Sequence, residues 1–149
     1  MSWITPLDLP CIQPYRKHNN AVVSTLMQRV SIVKNTVELP VDARKQKTAF
    51  PPNHVHSLDS THMLMTSVEM EKRGLTFAAV HDSYWTHASD VDEMNEILRE
   101  TFVDLYSQPL LQTLRNDLKS RYPLIDFPPV PATGDLDLHK VKDSRYFFQ

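Results

Sequence analysis

The chain has 149 residues, of which 41% are apolar and 23% charged, with a net charge of −2. That length is enough for one domain with a core, and the balance excludes a disordered chain. No apolar run approaches the roughly 20 residues that span a bilayer, and the single cysteine, Cys11, excludes an internal disulfide framework and fits a reducing compartment.

The first residues read as neither a secretory signal nor an Arg/Ser-rich transit segment. Charge is uneven: residues 1–56 carry seven Lys and Arg against three acids, and residues 57–149 carry nine against fifteen. A basic first half suits phosphates and an acidic second half suits metal cations, although chance and two acidic, solvated helix faces account for the same split.

In chain order, "SWITPLDLPCIQPYRK" holds three prolines and predicts a hairpin or extended loop. Residues 20–33 are rich in Val, Ile and Thr and read as strand, with helix as the alternative. A loop bounded by Pro40 follows, then a short helical segment at "VDARKQKTA". Pro51-Pro52 opens a second helix, in which Leu58, Thr61, Met65 and Val68 recur at helical spacing and Gly74 supplies the left-handed stop. The period then changes. "LTFAAVH" reads as a strand, "DS" as a tight turn and "YWTHA" as the returning strand. Ser89 is placed to cap the next helix, whose predicted buried stripe is Val91, Met94, Leu98, Phe102 and Leu105. A further helix over roughly 109–120 precedes the proline-rich "YPLIDFPPVPATG" and an aromatic tail, Tyr146 to Gln149. The expected fold class is α+β, with helices covering one face of a small antiparallel sheet. With glycine only at 74 and 134, no phosphate-cradling glycine loop can form, which excludes P-loop and dinucleotide-binding chemistry.

His81-Asp82-Ser83 interrupts the apolar run. A carboxylate on a hairpin tip is held by the ladder, which suits coordination of a divalent cation, yet Asp and Ser are also ordinary turn residues. His54, His56 and His62 do not form a compact zinc set, since Cys11 is remote in sequence. An HD-type phosphohydrolase needs further ligands on neighbouring helices, whereas His81-Asp82 follows a β-run, so that reading fails.

Several segments together resemble the single-subunit, bacteriophage-type DNA-directed RNA polymerases, and most closely their mitochondrial branch. "WITPLDLPCIQPYRK" is similar to the family's WxTPxGLPxxQPYR segment, and "DARKQKTAFPPNHVHSLDSTHM" to its DxxKQxxxxxPNxVHSxDxxHM block. The His81-Asp82-Ser83 hairpin resembles the palm's C motif, and "GDLDLHKVKDSRYFF" its tail, so in effect all 149 residues are covered.

The resemblance implies a nucleotidyltransferase that acts in transcription with two Mg²⁺ ions and uses DNA template, RNA transcript and nucleoside triphosphates. It implies that residues 1–55 end the fingers region and residues 56–149 form the C-terminal half of the palm. It makes Asp82 the metal ligand and, with His81 beside it, the catalytic pair. It makes His56 a nucleotide-pocket residue, and Asp59 and His62 part of the same block with a capping or packing role as the alternative. Arg16, Lys17, Arg44, Lys45 and Lys47 become candidate nucleic-acid contacts, and solvated loop cations the bland alternative. It further implies initiation factors as partners of a full-length enzyme, no membrane, and the mitochondrial matrix. The family's second metal-binding Asp and its fingers Lys and Tyr find no match here, so the chain is expected to be a fragment, inactive by itself. The alternative is a non-catalytic module that binds nucleic acid or polymerase. Two departures stand out: Asp8 sits where the family usually has glycine, and the last residue is Gln149.

Overall fold

The computed structural model describes residues 1–17, 19–34 and 39–147. Among the described residues the architecture mixes small antiparallel hairpins with three α-helices, in agreement with an α+β class. Among these described residues the strands do not form one sheet. They make three separate two-stranded hairpins: β1 (Ser2–Ile4) with β2 (Pro10–Ile12), β3 (Asn19–Ser24) with β4 (Arg29–Lys34), and β5 (Ala78–Val80) with β6 (Ser83–Trp85). The helices are α1 (Ala43–Lys72), α2 (Val91–Tyr106) and α3 (Leu110–Arg121). The chain divides into two compact units, one of residues 1–2 and 12–55, the other of residues 3–11 and 56–149.

In the first unit the Val-rich run is a hairpin rather than a single strand, with Ser24 opposite Arg29. No glycine or proline marks its turn. Thr25 closes it instead, its amide donating to the Gln28 carbonyl at 2.8 Å and its hydroxyl accepting from the Gln28 amide at 3.1 Å. Asp42 begins α1 by accepting the Lys45 amide at 2.9 Å, the usual N-cap bond. The loop expected before Pro40 lies partly outside the described residues, as do Phe148 and Gln149.

Pro51 and Pro52 do not start a helix, because α1 runs continuously from Ala43 through both of them. Each proline removes one backbone bond, and the flanking turns are held by side chains instead. On one side Gln46 Nε2 donates to the Gln13 carbonyl at 2.7 Å, and Gln13 Nε2 returns a bond to Gln46 Oε1 at 2.8 Å. On the other, Asn53 Nδ2 donates to Gln13 Oε1 at 2.9 Å and to the Tyr15 hydroxyl at 3.1 Å.

In the second unit α1 ends at Gly74 (φ +72°) as expected. The Leu75 amide reaches the Met70 carbonyl and the Gly74 amide the Glu71 carbonyl, both at 2.9 Å, which is the paired pattern of a left-handed helix stop. The buried face of α1 is rotated from the expected stripe. Ser57, Leu58, Thr61, His62, Thr66 and Met70 are buried, Met65 is half-buried and Val68 is exposed. The reason is that α1 meets α2 through a polar seam. Thr66 Oγ1 lies 3.1 Å from Thr101 Oγ1, and His62 Nε2 lies 2.9 Å from the Leu98 carbonyl.

On α2 the buried residues are Met94, Ile97, Leu98, Thr101, Val103 and Leu105, whereas Val91 is exposed and Phe102 half-buried. Ser89 does not cap this helix; its hydroxyl bonds the Asp90 carboxylate within a short 3₁₀ turn, Ala88–Asp90. Met70, Met94, Ile97 and Leu98 form the apolar core, with Leu75, Phe77, Tyr84 and Phe147 packed against it. Trp3 is buried and donates its indole N–H to Ser57 Oγ at 3.0 Å.

Candidate functional site

The β5–β6 hairpin is shorter than the sequence predicts, and its turn is His81-Asp82 rather than Asp82-Ser83, because Val80 pairs directly with Ser83. His81 takes φ +56°, in the left-handed region that favours glycine. Two residues thus reverse the chain, and both project from the end of a ladder whose inner face is packed on the core. Asp8 shows the same feature at the β1–β2 turn. Its φ is +59°, so the position does require the conformation that glycine supplies freely, and Asp is among the residues that tolerate it.

A cavity of about 520 Å³ opens beside this turn. It is lined from the hairpin by His81, Asp82 and Tyr84, and from α1 by His56, Asp59 and His62. The spacing on α1 is three and three, so one helix face carries all three polar side chains. His56, Asp59, His81 and Asp82 are exposed, Tyr84 is half-buried and His62 is buried. The sequence-predicted residues His56, His81 and Asp82 therefore meet at one place in the second unit. Arg16, Lys17, Arg44, Lys45 and Lys47 belong to the first unit, where all five are exposed. Two of them are engaged: Arg16 Nη1 donates to the Leu39 carbonyl at 2.7 Å, and Lys45 lies 4.8 Å above the Tyr15 ring.

Electrostatics divides the cavity. Burial lowers the His62 pKa from its ordinary value, against the opposing pull of the Leu98 carbonyl and the Asp59 charge. A carbonyl only accepts, so His62 Nε2 carries the proton and the ring is a neutral donor. Burial also raises the Tyr84 pKa, and the charges of Asp59 and then Asp82 push it the same way. The Tyr84 phenol is accordingly a protonated donor among acidic neighbours.

Asp59 and Asp82 give the cavity two carboxylates of the hard-oxygen type that Mg²⁺ prefers. Among the described residues no group of three or more His, Cys, Asp or Glu side chains is gathered for a metal ion. The donor set therefore fits a Mg²⁺ ion that takes one or two carboxylates and completes its shell with water and substrate phosphates, and it does not fit a closed structural metal site. Tyr84 and the meeting of Asp59 with the turn were not singled out as functional from the sequence. One signal was present: Asp59 stands three residues after His56 on a helix, which puts both on one face.

Residues 1–125 match the DNA-dependent RNA polymerase family. The chain is 51% identical over 146 residues to DNA-directed RNA polymerase 1A of Nicotiana tabacum, covering 98% of this chain and 93% of that protein. It is 53% identical over 146 residues to DNA-directed RNA polymerase 1, mitochondrial, of Arabidopsis thaliana, covering 98% of this chain and 15% of that protein. Over 148 residues it is 53% identical to DNA-directed RNA polymerase 3, chloroplastic, of Nicotiana sylvestris, again covering 15% of the relative. The chain thus spans nearly all of one relative and about a seventh of the other two. With a family match over most of its length and about half of its residues identical to these proteins, the chain belongs to the DNA-directed RNA polymerase family.

Proposed function

We propose that this chain is the part of a DNA-directed RNA polymerase that presents the metal-binding Asp of template-directed nucleotidyl transfer. The observation that carries the reading is the meeting of His81-Asp82 on a rigid turn with His56 across one cavity. Asp82 is the residue to hold divalent cation, and a Mg²⁺ pair at such a site supplies activation of the RNA 3′-hydroxyl and charge neutralisation on the triphosphate. The hairpin ladder fixes the Asp82 backbone, which keeps the carboxylate from wandering between substrate and solvent. His56 faces the same space from α1 and is assigned to the sugar of the incoming nucleotide. His81, next to Asp82 in the turn, is assigned to orienting the RNA end.

The basic residues Arg16, Lys17, Arg44, Lys45 and Lys47 are assigned to phosphates of template and transcript, and their shared exposure in the first unit supports this. Residues 1–55 are read as the end of the fingers and 56–149 as the C-terminal half of the palm; the change of unit between Val55 and His56 supports the boundary, whereas residues 3–11 group with the second unit. By itself the chain is proposed to be inactive, since Asp82 is half of the family's metal-binding pair. Mitochondrial transcription, in the matrix and with initiation factors, is the setting we favour. Relatives named chloroplastic are equally similar, so a plastid setting is the other outcome of a localisation experiment.

The test is RNA extension on a primed RNA–DNA scaffold by the polymerase that carries this sequence. Asp82→Asn should lower elongation by more than about 100-fold, because even outer partners of metal sites are worth about 10–100-fold. Scaffold binding should stay near the wild-type level. Elongation at the wild-type rate would overturn the assignment of Asp82. The exposed cations of the first unit favour a second reading, a binding module without catalysis. It predicts that the chain alone binds RNA–DNA hybrid with steep salt dependence and no need for Mg²⁺.

A further inference from the structure

β1 buries one side chain, Trp3. A buried indole needs a partner for its N–H, and Trp3 finds it on α1, donating Nε1–H to Ser57 Oγ at 3.0 Å. Trp3 is 2% exposed and Ser57 8%, so the bond is shielded from water. Both ends of it are braced. Beyond Trp3, the Leu9 amide donates to Thr5 Oγ1 at 3.1 Å and the Asp8 amide to the Thr5 carbonyl at 2.9 Å. On α1 the buried Thr61 hydroxyl donates to the Ser57 carbonyl at 2.8 Å.

Ser57 follows His56, so their side chains leave the helix about 100° apart. His56 is exposed on the face that lines the Asp82 cavity, whereas Ser57 is on the buried face. A grip on Ser57 therefore sets the roll of α1 about its own axis at the level of His56. Side-chain tips lie about 5–6 Å from a helix axis, so a roll of about 10° moves His56 by about 1 Å. A misplacement of about 1 Å can cost about 100-fold where a site works by geometry. The α2 contacts of α1, at His62 and Thr66, lie further along the helix. On the other side of His56, Pro51 and Pro52 each remove a backbone bond. The helix is thus least fixed by its own backbone just before His56, and the Trp3–Ser57 bond holds the next residue.

We propose that Trp3 and Ser57 are positioning residues for nucleotide selection, their buried bond setting the roll of α1 that aims His56 at the sugar of a nucleotide in the Asp82 cavity. The role rests on reading His56 as the sugar-facing residue of the polymerase site. Both residues are buried, so they act through His56 rather than on substrate.

The first measurement is NMR hydrogen exchange of the two indole N–H groups in the 149-residue chain. The Trp3 proton should exchange more slowly than that of the exposed Trp85. Ser57→Ala should speed it by about fivefold, the scale of one net hydrogen bond. Equal exchange of the two indoles, or no response to Ser57→Ala, would overturn the bond.

The deciding measurement uses the polymerase that carries this sequence. It is the ratio of kcat/KM for ribonucleoside over 2′-deoxyribonucleoside triphosphates in Trp3→Phe, Ser57→Ala and His56→Ala. Trp3→Phe keeps an aromatic ring without the N–H, and Ser57→Ala removes the acceptor. Each should lower the ratio by about fivefold, and neither should lower it further once His56→Ala is present. A bond that only supports the fold would slow both substrates alike and leave the ratio unchanged, which overturns the proposal. A further fall on the His56→Ala background also overturns it, because the effect would then bypass His56. Should Trp3→Phe fail to fold, Ser57→Ala, the smaller change and one that suits a helix, carries the same test. If His56→Ala itself leaves the ratio unchanged, the sugar-facing assignment fails and the positioning role falls with it. If His56→Ala lowers the ratio while Trp3→Phe and Ser57→Ala do not, only the positioning role fails.

Discussion

The Thr66–Thr101 contact tests whether α1 and α2 are joined by a shared polar seam. Both residues are buried, at 0% and 6% exposure, with their hydroxyl oxygens 3.1 Å apart. Each also reaches a carbonyl of its own helix at 2.9 Å, Thr66 that of His62 and Thr101 that of Ile97. Two hydroxyls own two protons, so these three bonds are not all made at once. Thr→Val keeps shape and nearly the same helix propensity while removing the hydroxyl. A single Thr66→Val or Thr101→Val should therefore cost about 1 kcal/mol, the net worth of one buried hydrogen bond. The surviving hydroxyl turns its proton to its own helix carbonyl and stays satisfied. Removing both hydroxyls leaves no orphaned partner, because the two carbonyls still face amides of their own helices. The wild type makes two of these bonds, each single variant one and the double variant none, so the double variant should cost about 2 kcal/mol, the sum of the singles. Urea unfolding of the 149-residue chain, followed by far-UV circular dichroism, measures all three. A double variant that costs less than the sum of the singles by more than about 0.5 kcal/mol would show that each single variant leaves an unsatisfied hydroxyl and would refute the shared-proton account.

Two further outcomes are expected. His62 is held neutral by burial, so its pKa is lowered in the folded chain. The unfolded chain therefore takes up the proton first as pH falls, and the His62 contribution is complete above about 6.5 and declines below it. Urea midpoints measured downward from neutral pH should fall. His62→Gln should flatten that slope without abolishing it, since burial lowers the pKa of His54 in the same way; an unchanged slope would contradict the assignment. Separately, Arg99 donates to the carbonyls of Val141 and Ser144 and lies 5.5 Å from the Phe147 ring. Arg99→Gln should raise amide exchange over residues 138–147 by about tenfold while α2 stays protected, and equal loosening of α2 would show that Arg99 supports the helix instead.

The candidate residues were more legible than the fold because their signal is a set of short motifs, each readable without knowing how the chain packs. His81-Asp82 after an apolar run and "NHVHSLDSTHM" on a helix placed His56 and Asp82 as candidates before any geometry was known, and the structure brings both to one cavity. Element types were also largely legible. Gly74 stops α1 where its freedom at positive φ is needed, and α3 lies over the expected residues.

Three features were not legible, for separate reasons. The prolines at 51 and 52 read locally as a boundary, and only the bonds from Gln13 and Tyr15, distant in sequence, show how the turns on both sides of them are held. The β3–β4 turn carries no glycine or proline because Thr25 closes it with its own hydroxyl. The buried face of α1 was misjudged because hydrophobic periodicity counts apolar side chains, whereas this helix buries Ser57, Thr61, His62 and Thr66.

The amino-acid sequence by itself determined the kinds of elements, the helix stop at Gly74 and which side chains were candidates for the site. These depend on a residue's own conformational and ionisation properties and those of near neighbours. Only the tertiary structure decided which face of α1 is buried, that α1 continues through two prolines, and that Tyr84 and Asp59 share the cavity of Asp82. Each of these is set by a partner contributed from elsewhere in the chain, and no local property of a residue encodes the partner it will meet.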